Sequence, residues 1–413
     1  MRLNPFNPPA RWQLIAGISA LALLALMLGT SPSRLLYDEP YHIGLAKNVL
    51  ATGWRAALTS SNNASAAGPL YPAIHIAVSK LTRFQVPAIR WVNLICLVFV
   101  IITLAKSNLG KSVGLNWING LSIISVPFLW PTAGMALTEL PALAAFTLFV
   151  FALLQALHLP DLKPSLRSFG WAVVAGLALG LSILGRQTYL AVLPAVVSLF
   201  IAAPKKWLSW LICLAVAIGC CGWVFILWHG LVPPSQHKVD GGIRFDYGVL
   251  SLSYVAAATW FLNPQWLKIR NWKIILSLAI VGAGLAFLTR DYANPPAKSL
   301  LLKILGNQGG LLIGFCIGTL LTTLAIVWAW NTLLAAWRER FEPSRLFLFL
   351  TLLALAAAPM KVSHLFSNRY VVGLLGVLVL VVRVAPTSGY WLVLRIALGS
   401  LAGAASLWTY YYY

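Results

Sequence analysis

Acidic residues are scarce in this chain: 9 Asp and Glu stand against 30 Lys and Arg among 413 residues. Two of the nine, Asp38 and Glu39, are neighbours in LLYDEPYHIG, directly after the first long apolar run. A carboxylate partly withdrawn from water has a raised pKa, and a like charge beside it raises it further. Either could then take a proton from a hydroxyl group. The same pair, followed by Pro40, also fits a helix N-terminus, where acids favour the dipole and proline suits the first turn. Locally the two readings weigh the same.

Four further stretches carry side chains fit for chemistry. In TELP, Glu139 follows Thr138 at the start of an apolar run, and local sequence favours plain capping. In GRQT, Arg186 and Gln187 stand between two apolar runs. An arginine there is costly unless paired, so it either grips a phosphate or pairs with an acid such as Glu139. In DGGIRFD, Asp240 and Asp246 flank two glycines that allow a backbone to approach a ligand closely, or simply make a flexible turn. In HLFSNRY, His364, Asn368, Arg369 and Tyr370 offer an imidazole, an amide, a guanidinium and a phenol within seven residues. Arg369 would bind phosphate or anchor at lipid headgroups.

The elements that position these residues follow from composition. The chain is 60% hydrophobic and 9% charged, beyond what a soluble domain can hide. Apolar runs near 12–30, 91–105, 117–130, 140–158, 169–184, 188–203, 208–229, 249–262, 274–288, 309–330, 346–360, 371–385 and 391–410 predict an all-α polytopic membrane protein. About 11–13 transmembrane helices are expected, in one integral domain over 1–413. The first run lacks a cleavage site and is too long for a signal peptide. The net charge of +21 is dispersed over many short loops, so it reads as topology signal and lipid contact, and nucleic acid is excluded. The five cysteines lie in apolar runs without disulfide or metal spacing.

Short basic connections at Lys106/Lys111, Lys163/Arg167, Lys205/Lys206, Lys268/Arg270/Lys273 and Arg338/Arg340/Arg345 predict the cytoplasmic side. All five chemical stretches then fall on the opposite face. The first outer loop, 31–90, is the longest, with interfacial helices expected at 40–50 and 72–83. In the latter, Ile74, Ala77, Val78 and Leu81 share an apolar face and His75, Ser79 and Thr82 a polar one. The tail WTYYYY is expected at the outer interface, where aromatic rings are favoured.

In order, YDEPYH, LTE, GRQTYL, DGGIRFD and HLFSNRY resemble the GT-C membrane glycosyltransferases. They are most similar to the dolichyl-phosphate-glucose α-1,2-glucosyltransferase family, with its Asp-Glu-x-x-His, Thr-Glu, Phe-Arg-Gln-Thr-Asn, Gly-Gly-Ile and late His…Asn-Arg-His-Tyr stretches. Ser367 replaces an expected Asp, the histidine between Arg369 and Tyr370 is absent, and Tyr189 replaces Asn. The chain is also short for the eukaryotic enzyme.

The resemblance implies a GT-C fold and an inverting transfer of a hexose, glucose in that family. The sugar would leave a polyprenyl- or dolichyl-phosphate donor for a lipid-linked glycan or other acceptor hydroxyl. It implies Asp38 as base with Glu39 as support or alternative, and Arg186 and Arg369 on the donor phosphate. His42, Glu139, Gln187, Asp240, His364, Asn368 and Tyr370 would contact substrate. No metal and no cofactor is implied. A bacterial plasma membrane with the site facing the periplasm is expected, or the endoplasmic reticulum membrane for a eukaryotic source. The rival class is a transporter or lipid flippase, which expects charges near mid-span and paired interrupted helices.

Overall fold

The structure, a computed structural model, describes residues 8–61, 63, 67–107, 113–159, 166–236, 242–269, 272–288, 297–362, 366–383 and 389–412. Helix follows helix throughout, and no strand occurs among the described residues. The order is α1 (Pro8–Gly29), α2 (Glu39–Thr52), α3 (Trp54–Thr59), α4 (Leu70–Ala77), α5 (Ser79–Thr82) and α6 (Ala88–Lys106). Next come α7 (Val113–Ser122), α8 (Leu129–Gly134), α9 (Glu139–His158), α10 (Leu166–Gly185), α11 (Leu193–Ala202) and α12 (Trp207–Trp228). The chain continues through α13 (Phe245–Leu262), α14 (Trp272–Leu288), α15 (Ala297–Arg338) and α16 (Pro343–Ala357). It closes with α17 (Arg369–Val372), α18 (Leu375–Val382) and α19 (Gly389–Tyr412).

Among the described residues, eight helices are long and apolar enough to cross a membrane, fewer than the apolar runs suggest. The run at 117–130 is broken: a 3-10 turn at Ile123–Ser125 and extended backbone at Val126 separate α7 from α8. The run at 188–203 begins as a 3-10 turn and continues as the short α11. The run at 371–385 holds only α17 and α18, and every residue of α18 is buried. A segment wrapped by other helices never meets lipid, so it need not span the bilayer in one piece. Conversely, 309–330 lies inside α15, whose 42 residues reach about 63 Å, twice the hydrocarbon thickness.

Helices α9 and α10 run in opposite directions. Lys206, before α12, donates from Nζ to the carbonyls of Ala156, Leu157 and Leu159 at 2.7–2.9 Å, capping the C-terminal end of α9. At the far end of the same helix, Glu139 meets Arg186, just beyond α10. The basic loops and the chemical stretches therefore sit at opposite ends of this helix pair.

The loop after α1 carries the expected interfacial helix as α2. The predicted 72–83 helix is split at Val78 into α4 and α5. Its polar side faces the protein: His75 and Thr82 are buried, while Leu81 is 85% exposed. An apolar face turned outward is the stable arrangement where the surroundings are lipid.

Small residues bring α19 against the broken segment between α7 and α8. A Cβ on Gly399 would overlap the Ser125 carbonyl, and one on Gly403 the Trp130 indole. Gly399→Ala is expected to cost about 1–3 kcal/mol by overpacking. The check is thermal unfolding in detergent, with Gly170→Ala, which meets nothing within 4 Å, as the unaffected control.

Candidate active site

Glu39 and Arg90 form a fully buried ion pair, both side chains 0% exposed. Arg90 donates from Nε to Glu39 Oε1 at 2.8 Å and from Nη2 to Oε2 at 2.7 Å. The backbone N–H of Leu36 donates to Oε2 at 2.8 Å and that of Ala136 to Oε1 at 2.7 Å. Arg90 also donates to the carbonyls of Pro32 and Arg34, each at 2.9 Å, and lies 5.1 Å from the Tyr411 ring centroid. The Glu39 carboxylate is thus saturated and sealed. A proton acceptor for substrate needs a free lone pair in reach of solvent or ligand, and Glu39 has neither. Its geometry is that of a strut joining α2, α6 and the loop before α9.

The adjacent Asp38 points elsewhere. It occupies the N-cap position of α2, yet its side chain makes no capping hydrogen bond. It pairs instead with Arg369, Nη1 to Oδ2 at 2.8 Å, and stays 40% exposed. Burial pushes its carboxyl upward, but the Arg369 charge and hydrogen bond outweigh this and hold it below the ordinary value of 3.8. Asp38 is ionised at neutral pH.

Glu139 and Arg186 form the second pair of the site, Nη2 to Oε1. Thr138, expected as a cap, makes no capping hydrogen bond either. The other carboxylate oxygen of Glu139 is buried without a partner among the described residues. His42, one turn into α2, is buried, and both acids and both arginines of the two pairs act on it. Burial, reinforced by the nearby Arg186 charge, lowers its imidazole from 6.5 to about 4. It is neutral at physiological pH and can donate or accept a hydrogen bond. Its ring meets Tyr71 at 5.5 Å, and Tyr71 meets the fully buried His75 at 4.4 Å.

The remaining predicted residues divide. Gln187 is half-buried beside Arg186 at the start of the 3-10 turn. Asn368 precedes α17, and Tyr370 is half-buried in edge contact with Phe366. Ser367, standing where the resemblance expects Asp, lies 3.3 Å from Arg369 Nε and accepts from it. Tyr189 is buried structure: it stacks on Phe146 at 4.5 Å and donates to the Gly373 carbonyl at 3.0 Å. Asp246 is tied to Arg244 at 3.0 Å. Asp240 and His364 lie outside the described residues.

Four residues from four distant stretches, Asp38, Glu139, Arg186 and Arg369, thus form two ion pairs, with His42 among them. Sequence reading missed Arg90, Tyr71 and the contribution of the C-terminal tail. An arginine three residues into an apolar span was the available signal for Arg90, since such a charge requires a buried partner.

No protein-family model and no curated protein matches the chain. Solved structures resemble it over most of its length, two of them as follows. One is the crystal structure of ArnT from Cupriavidus metallidurans bound to undecaprenyl phosphate, at 13% identity and a TM-score of 0.46, covering 94% of this chain and 77% of that one. The other is the same protein in the apo state, at 13% identity and a TM-score of 0.45, covering 96% and 78%. Likeness at this level leaves the reading of the site to its own residues.

Two outcomes follow from the site's electrostatics. Arg90→Leu strands a buried carboxylate and is expected to cost about 3–5 kcal/mol, much of it recovered in the double variant Arg90→Leu/Glu39→Leu. Thermal unfolding of the two variants against wild type measures this. Unfolded histidine takes up a proton near 6.5, whereas His42 and His75 stay neutral to about 4. The unfolded chain binds more protons between those values, so stability falls as pH drops from 6.5 to about 4. In a pH series of melting temperatures, His75→Gln should weaken this slope; an unaltered slope would contradict the assignment.

Proposed function

We propose that the chain is a GT-C-type membrane glycosyltransferase that uses a polyprenyl-phosphate sugar as donor. The observation that carries this is the pairing of Asp38 with Arg369 beside that of Glu139 with Arg186, at one end of the α9–α10 pair. Two guanidiniums, each held by a replaceable carboxylate, suit a phosphate at membrane depth just below the headgroups. A transporter would need its charges along a path through the bundle, whereas these four cluster at helix ends.

In the proposed reaction the donor phosphate competes with Asp38 for Arg369. Once Arg369 turns to the phosphate, Asp38 loses the partner that depresses its pKa and becomes a stronger base. It takes the proton of an acceptor hydroxyl as that oxygen bonds to the anomeric carbon. The bond from that carbon to the phosphate oxygen breaks on the opposite side, so configuration inverts. The lipid phosphate departs with its electron pair, and Arg369 and Arg186 stabilise the charge it gains. His42, Glu139, Gln187, Asn368 and Tyr370 orient sugar hydroxyls. A hexose, glucose by the resemblance, is the proposed sugar, with a lipid-linked glycan among the acceptors. The periplasmic face of a bacterial plasma membrane is the proposed setting.

The test is transfer from synthetic polyprenyl-phosphate sugars, offered as a panel. Asp38→Asn is expected to lower kcat by about 10²–10⁴-fold while the protein folds normally. Glu39→Gln should act on folded yield instead, because it weakens the Arg90 strut. Arg369→Ala should lose donor affinity. Near-wild-type turnover in Asp38→Asn would sink the base assignment, and inactivity of the wild type across the panel would favour the transporter class.

A further inference from the structure

The C-terminal tail reaches the site. Tyr411 donates to the Gly134 carbonyl at 2.5 Å and Tyr412 to the Thr30 carbonyl at 3.3 Å, which clamps the end of α19 against α8 and the end of α1. These bonds bring Tyr410 to Tyr37, with ring centroids 4.9 Å apart and edge to face. Tyr37 immediately precedes Asp38. It is 55% exposed and holds a left-handed backbone, with φ at 49°. A tyrosine in that conformation is uncommon, and such strain persists where the surroundings enforce it, often at ligand sites.

A second set of rings lies on the Arg369 side. Phe366 stacks on Tyr254 at 5.8 Å and meets Tyr370, the neighbour of Arg369, at 6.2 Å. Both Tyr254 and Phe366 are only partly buried. The hydroxyl of Tyr410 lies within electrostatic reach of Arg369, Asp38 and Glu139, and Tyr254 in turn feels Tyr410. Each partner of the Asp38–Arg369 pair is therefore joined by a single peptide bond to a tyrosine of one ring group, Tyr37 or Tyr370.

A pyranose ring has one or both faces lined by C–H bonds, with its hydroxyls at the rim. Aromatic rings meet the first and charged or phenolic groups the second. We propose that Tyr37 and Tyr410 form a platform on which the face of a pyranose ring packs while its rim reaches Asp38 and Arg369. The proposal rests on the glycosyltransferase reading for its catalytic meaning but not for binding itself. Because donor and acceptor can both present a pyranose, the experiment has an arm for each.

The binding arm uses saturation-transfer NMR on the detergent-solubilised full chain, with methyl glucopyranoside, galactopyranoside and mannopyranoside as probes. Wild type is expected to saturate the C–H protons of one ring face. Tyr37→Asn removes the ring while keeping a residue that tolerates the left-handed backbone, and Tyr410→Ala removes the other; each should abolish the signal. Tyr37→Phe and Tyr410→Phe keep the rings and should retain it. The kinetic arms compare KM for the polyprenyl-phosphate sugar and for octyl pyranosides as acceptors. A rise of about 5–10-fold confined to one of the two identifies which sugar uses the platform. No pyranoside signal in wild type, or the same signal and the same KM values in the ring-deleted variants, overturns the platform. Pyranoside binding without any transfer would instead overturn the enzyme reading and leave the platform standing.

Discussion

Arg90 and Glu39 are the point from which the outer end of this molecule is built. Two full charges lie out of water, and such a pair holds only if every lone pair and proton finds a partner. Here they do. The carboxylate takes four hydrogen bonds, from Arg90 twice and from the backbones of Leu36 and Ala136. The guanidinium adds the carbonyls of Pro32 and Arg34. One interaction thereby fixes the loop after α1, the start of α2, the start of α6 and the loop before α9. Asn93, one turn further along α6, reaches the carbonyls of Thr132, Met135 and Leu137 and holds the same loop from below. Glu39 cannot move, so Asp38 cannot either, and its carboxylate is presented to Arg369 from a fixed backbone.

The other two ion pairs differ from this strut in kind. Asp38 and Arg369 are both partly exposed, and Arg186 is less closed in than Glu139. The more open pair, Asp38–Arg369, contributes little to stability, because water and salt compete for its charges. What it does provide is a cation already desolvated on one side and oriented, whose counter-charge can be replaced by a ligand. An anionic ligand entering such a site takes over the arginine and leaves the displaced carboxylate without its counter-charge. The buried strut and the open pairs thus divide the work: the first holds geometry, the second remains available for exchange.

Much of this was legible in the sequence, and the limits have physical causes. The clustering of Asp38, Glu139, Arg186 and Arg369 on one face followed from the basic loops, because topology is written in local charge. The roles of Asp38 and Glu39 could not be separated locally: adjacent side chains diverge, and the partner that claims Glu39 lies 51 residues away. Some apolar runs became short or broken helices among the described residues, because apolar runs identify burial, and α18 is buried in protein. The tail WTYYYY read as an interfacial aromatic belt, which its composition supports. The packing of α19 through Gly399 and Gly403 and the hydrogen bonds of Tyr411 and Tyr412, all made to distant residues, bring Tyr410 to the loop that carries Asp38.

The amphipathic stretch at 72–83 shows how the surroundings decide which face of a helix is inside. In water the face with Ile74, Ala77 and Leu81 would turn to the core and His75 outward. Here His75 turns inward to Tyr71 and His42, and Leu81 outward. Lipid removes the drive that would otherwise pull Leu81 in, and His75 packs edge to face on Tyr71. The consequence is a layer of polar side chains under the site. It runs from Asp38 through His42 and Tyr71 to His75, and burial keeps both imidazoles neutral, at His42 against the opposing charges of Glu139 and Asp38. A neutral imidazole beside two guanidiniums adds hydrogen-bonding capacity without adding repulsion, and the positive charges of Arg186 and Arg369 are balanced by Glu139 and Asp38 until a ligand displaces them.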